Sequence, residues 1–154
     1  MKNPSLKHYL LTCCFMFVSL SGTGHANTLY EDFGGKAAID AVSEQFLWNL
    51  AQDKRISHHW ADSNIDRFHE KMQEHLCELM EGPCEYTGDN MRRTHKGMQI
   101  DQADFYAVSE NLIEAMETVG VPTGAQNRLL KILIGFYEDI IKANQPQFQK
   151  SSLP

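Results

Sequence analysis

From Leu29 onward the apolar residues return every three or four positions, and glycine or proline breaks the pattern at Gly34-Gly35, Gly82-Pro83, Gly97 and Gly120 to Pro122. A period near 3.6 puts such residues on one face of a helix, so the chain reads as all-α. A short element over 29–33 stops at the paired glycines. A helix over 37–51 then carries Ile39, Val42, Phe46 and Leu50 inward, and the pattern loosens between Gln52 and Ser63. Ser63 or Asn64 can cap the next helix, whose apolar face is Phe68, Met72, Leu76 and Met80, with His75 and Leu79 beside it, until Gly82-Pro83 ends it. Asp101 caps a helix with Phe105, Val108, Leu112, Met116 and Val119 inward, and Gly120 with Pro122 closes it. A last helix over 124–143 carries Leu129, Leu133, Phe136 and Ile140.

Between the third and fourth of these lies a stub over 91–96, bounded by Asn90 and Gly97 and ending at His95. A helix of about one and a half turns is unstable alone, because the first hydrogen-bonded turn is the costly one. Something must hold the stub in place. A metal or cofactor ligated by His95 would do so; a merely solvated histidine would not.

The first 26 residues differ in kind. Lys2 and Lys7 precede an apolar run from Tyr9 to Leu20, and Gly24-His25-Ala26 ends in the small residues a signal peptidase reads. The expectation is a secretory signal at 1–26 and an exported, periplasmic protein; the run is shorter than the roughly 20 residues a spanning helix needs. Leu10-Leu11-Thr12-Cys13 is a poor lipobox, with threonine before the cysteine. Cleavage removes two of the 14 basic side chains and none of the 20 acidic ones, taking the net charge from −6 to −8. Such an acidic domain is unsuited to nucleic acid or an anionic membrane surface and points to small ligands or protein partners.

Cleavage also leaves only Cys77 and Cys84, either as a disulfide in an oxidising compartment or as two thiols. The absence of Cys-x-x-Cys-His speaks against covalent c-type haem. His58-His59 reads as a surface pair, since adjacent histidines point apart and no cysteine pair stands at structural-zinc spacing. No phosphate-binding glycine loop, nucleophile elbow or catalytic carboxylate pair is present.

Leu29-Tyr30, Gly34-Gly35, Phe46, Gly82-Pro83, Tyr86-Thr87-Gly88, Met91 with His95, and Gly120-Val121-Pro122 occur in the order found in one family, and their span to Ile141 resembles the group I truncated haemoglobins. The resemblance implies a truncated globin domain over 27–145, a two-over-two helical sandwich, followed by a polar tail at 146–154. It implies a non-covalent b-type haem with His95 as the proximal iron ligand. The other ring nitrogen of His95 would donate to a backbone carbonyl one turn earlier, and Arg92, Arg93 or Lys96 would meet the propionates. Phe46, Trp60, Phe68, Met72, Leu76, Phe105, Val108 and Leu133 fall where relatives line the haem cavity, Trp60 replacing a phenylalanine.

Two departures bear on function. Where many relatives hold oxygen with a tyrosine and a glutamine, this chain has Leu47 and Met72, neither of which donates a hydrogen bond. Losing such a donor removes about 1.5 to 3 kcal/mol, or roughly ten- to hundredfold in ligand retention. Lys71, His75 and Met72 are candidate internal ligands for the iron's sixth position. The expectation is a protein that binds a diatomic gas (oxygen, nitric oxide or carbon monoxide) for transport or sensing, as a monomer or weak dimer. The alternatives are six-coordinate electron transfer, slow nitric oxide dioxygenation or peroxidase-type turnover with an unidentified electron donor, and a haem-free helical interaction module.

Overall fold

The computed structural model describes residues 26–144, so the secretory-signal reading and the tail at 146–154 lie outside the described residues. Among the described residues seven α-helices follow one another: α1 (Leu29–Phe33), α2 (Gly35–Gln52), α3 (Ile65–Leu79), α4 (Met91–Thr94), α5 (Gln102–Val119), α6 (Thr123–Leu133) and α7 (Tyr137–Ile141), with short 3-10 turns at Ser57–Trp60, Ile134–Phe136 and Lys142–Asn144. None of the described helices is long and apolar enough to cross a membrane.

The helix starts follow their capping residues. Thr28 and Glu31 form a reciprocal capping box on α1, Asn64 accepts from the Arg67 amide at the head of α3, and Asp101 with Asp104 repeats the box on α5. Each satisfies backbone donors that the first turn leaves without partners. Gly34, at φ 109°, ends α1 in the left-handed region, where glycine meets no Cβ penalty. Gly82 is required by crowding: a Cβ there would meet Tyr30 and Cys77 Sγ and lie 2.9 Å from the Cys77 carbonyl.

α2 packs against α5 and α3, α1 against α2 and α6, and α4 against α7. Phe33, Ile39, Val42, Ile56, Met80, Met116 and Leu129 are fully buried between them, each contributing about 1.5 to 3 kcal/mol of burial. A polar seam crosses the α2–α5 contact: Asn49 donates to the Asn111 carbonyl at 3.1 Å, and Asn111 donates to Ala107 and to the Asp53 carboxylate, both at 2.7 Å. Arg55 also grips Asp53, and these bonds hold the Asp53 carboxyl well below the usual carboxylate range. Cys77 and Cys84 form a disulfide, tying the end of α3 to the loop that follows it.

The structure departs from the expected single helix over 124–143, which breaks into α6, a 3-10 turn and α7. Gly135 sits in the tightened turn, and glycine is a weak helix former with nothing here to stiffen it. The stub is also shorter than expected, leaving His95 as its C-cap.

Candidate functional site

Helix α4 has only four residues. Asn90 caps it by accepting from the Arg93 amide at 3.0 Å, and Thr94 Oγ1 donates to the Asp89 carbonyl at 3.2 Å. Arg92 donates to the Lys142 carbonyl at 2.9 Å, tying α4 to the turn after α7. On this frame His95 Nδ1 lies 2.7 Å from the Met91 carbonyl. A carbonyl can only accept, so Nδ1 carries the proton and Nε2 keeps its lone pair for a ligand. Burial pushes the His95 imidazole below its ordinary range, and the bond to Met91 offsets part of that push.

His95 opens onto a cavity of about 560 Å3. Phe46, Trp60, Phe68, Lys71, Met72, His75, Leu76, Phe105, Val108 and Leu133, all expected at the site, line it with His95. Leu47 and Arg92 are not among the lining residues. Leu47 is half-buried on α2, and Arg92 points to Lys142.

His59 corrects the reading of His58-His59 as a surface pair. His58 is exposed, but the His59 side chain is only 8% exposed and lines the cavity. The 3-10 turn Ser57–Trp60 turns the second ring inward, and no periodicity within a four-residue turn signals that direction. Tyr86, Met98 and Ile100, from the loops flanking α4, were missed for the same reason.

Most polar groups of the wall are already bonded. Lys71 donates to Glu70 and Glu74 at 2.8 Å and to Thr87 Oγ1 at 2.6 Å, which keeps it a cation. Tyr86 and Ser109 each donate to a backbone carbonyl. Two histidines are exceptions: His59 Nε2 is buried without a hydrogen-bond partner, and so are both ring nitrogens of His75, whose ring lies 4.5 Å from that of Tyr86 and 5.5 Å from that of Phe136. Burial is the main cause of the lowered pKa of His75; Glu78 opposes this and His95 adds to it. His75 is therefore held neutral. An apolar cavity with an oriented imidazole lone pair suits a largely apolar prosthetic group whose metal takes an imidazole ligand.

Comparison with known proteins agrees with this geometry. A bacterial-like globin family model matches residues 28–142. A group 1 truncated hemoglobin of Tetrahymena pyriformis is 30% identical over 114 residues, covering 74% of this chain and 94% of that protein. Its counterpart in Mycolicibacterium paratuberculosis is 29% identical over 103 residues, covering 67% and 76%. The crystal structure of the Tetrahymena pyriformis protein in its Fe(III) form superposes with a TM-score of 0.72 over 75% of this chain and 98% of that one. At 20% identity the 2/2 hemoglobin of Synechococcus sp. PCC 7002, a structure with covalently attached heme, shares the fold with a TM-score of 0.70, covering 75% of this chain and 99% of that one. The chain belongs to the bacterial-like globins, among the group 1 truncated haemoglobins, and its helices form the two-over-two globin fold.

Proposed function

We propose that this truncated globin holds a non-covalent b-type haem through His95 and binds a diatomic gas, oxygen, nitric oxide or carbon monoxide, for transport or sensing. One observation carries the reading: the His95 lone pair is left free by the Nδ1 bond to Met91, in a mostly apolar cavity whose volume lies within the roughly 300 to 1,000 Å3 of small-ligand and cofactor sites. The residues fit the group. His95 supplies the iron ligand, Phe46, Trp60, Phe68 and Phe105 supply apolar surface, and the disulfide leaves Cys77 and Cys84 no thiol for attachment. Bound there, haem supplies an iron that takes up a diatomic ligand. The protein's part is to orient His95, to exclude water with its apolar wall and to keep His75 neutral. The disulfide supports export to an oxidising compartment, the periplasm.

A second reading, six-coordinate haem for electron transfer, is favoured by one feature. Of the candidate sixth ligands, His75 is neutral and unpartnered, whereas Lys71 would first have to give up three bonds and a proton. Visible spectra of the ferric and dithionite-reduced protein, with and without carbon monoxide and beside His95→Ala, test both. A five-coordinate ferrous spectrum that shifts with carbon monoxide and is lost in His95→Ala supports gas binding. A six-coordinate one that turns five-coordinate in His75→Ala supports the second reading, and a chain that takes up no haem overturns both.

A further inference from the structure

Among the polar groups of the cavity wall, His59 has surroundings that none of the others shares. Its side chain is more than nine-tenths buried, and Nε2 lies 3.2 Å from Asp104 Oδ2 yet makes no aligned hydrogen bond. Asp104 is fixed from behind: it sits in the first turn of α5, and Oδ2 accepts the Asp101 amide at 3.0 Å. That amide bond and the contact with His59 act against burial and hold the Asp104 carboxyl below its ordinary range, so it stays an anion. The exposed His58 ring lies tilted against His59 with centroids 4.0 Å apart, and Trp60 packs edge-on to Phe68 at 6.0 Å. His59 belongs to the α2–α3 connection and takes no part in the ring contacts among Tyr86, His75 and Phe136.

An imidazole Nε2 beside a carboxylate favours the tautomer with its proton on that nitrogen, and with no aligned partner the N–H is a donor not yet used. Its cost is a hydrogen-bonding group the rest of the cavity does not satisfy, which an apolar side chain at this position would avoid. Leu47 does not line the cavity and Met72 has no proton to give, so neither can hold a polar ligand.

We propose that His59 is a hydrogen-bond donor to a small, oxygen-terminated ligand held in this cavity, with Asp104 as the residue that positions it. The inference rests on the haem reading above, since such a ligand is retained only where iron holds its other end.

The test uses the haem-loaded full chain. The C–O stretching frequency of the carbon monoxide complex and the oxygen dissociation rate are measured for wild type, His59→Phe, His59→Gln and Asp104→Asn. Removing the donor in His59→Phe is expected to raise the frequency and speed oxygen release about ten- to hundredfold. His59→Gln keeps a donor and should stay close to wild type, and Asp104→Asn should fall between. The proposal is overturned if His59→Phe matches wild type in both readings, or if His59→Gln is as impaired as His59→Phe, which would make the role one of packing. Should His59→Phe fail to fold, Asp104→Asn decides: a shift in the same direction supports the proposal and none overturns it. A wild type that takes up no haem would overturn the underlying reading instead, and shows in the absorption spectrum before either variant is made.

Discussion

Lys71 and Glu74 show how much of the cavity rim depends on single charges. Glu74 accepts from Lys71 and from both the amide and the hydroxyl of Thr87, and these bonds pull its carboxyl from 4.5 down to about 2, with Lys71 the largest cause. The folded state thus releases the proton more readily than the unfolded chain. Its support is complete above the unfolded value and is lost as the pH falls from about 4.5 toward 2. Denaturant midpoints measured through that window should drop for wild type and stay flatter for Glu74→Gln; equal slopes would remove Glu74 from the account of acid sensitivity. Asn111 is the buried counterpart. Asn111→Ala deletes one bond to a charged partner and one to a carbonyl while leaving Asp53 with Arg55 alone, so a loss of about 2 to 3 kcal/mol is expected in urea unfolding. A loss below about 0.5 kcal/mol would mean that water replaces the seam at no penalty.

At the scale of elements, two glycines that look alike in sequence should behave oppositely. Gly135 is exposed, has φ in the ordinary range and no neighbour within 4 Å of a built Cβ, so Gly135→Ala should stabilise by about 0.4 to 1 kcal/mol. Gly82→Ala would drive a Cβ into Cys77 and Tyr30 and should destabilise by more than that; thermal melts of the two variants, shifted in opposite directions, check the pair. Next to Gly82, the disulfide closes a short loop between residues seven apart, and Cys77→Ser with Cys84→Ser should remove about 2.5 kcal/mol on the loop-entropy account. The same contrast explains which elements were legible. Asn64, Asn90 and Asp101 announced their helices because a cap is a local event involving a side chain and the next two or three amides. The break between α6 and α7 was not legible, because the apolar stripe Leu129, Leu133, Phe136 and Ile140 runs on unchanged through a glycine that a helix can tolerate. The disulfide was open for a similar reason, since pairing is decided by where a turn brings two Cα atoms, here 5.8 Å apart.

For the molecule as a whole, the site was most legible where it is built from long periodic helices; of the residues from turns, Trp60 was found through the resemblance alone. Helix periodicity put Phe46, Phe68, Met72, Leu76, Phe105 and Val108 on buried stripes, the resemblance to the truncated haemoglobins assigned those stripes to a cavity, and His95 stood out at the end of a stub too short to stand alone. His59 and Tyr86 come from segments without a period. The stub has a consequence for the entire fold. A cavity of about 560 Å3 in one small helical domain forgoes packing contacts that a filled core would make, so what occupies it and the fold that surrounds it should stabilise each other. Through mass action, haem at 100 times its dissociation constant would add about 2.7 kcal/mol to the wild-type chain. The gain should be concentrated in α4, whose four residues have few other ties, and should vanish in His95→Ala, which keeps the cap at Asn90 and the Arg92 bond to Lys142. Amide hydrogen exchange with and without haem checks this: slow exchange at Thr94 and His95 only in the loaded wild type would mean that the ligand holds the stub. Protection that is equal in the loaded and haem-free protein would mean that α7 holds it, and the length of α4 would then say nothing about why His95 stands at its end.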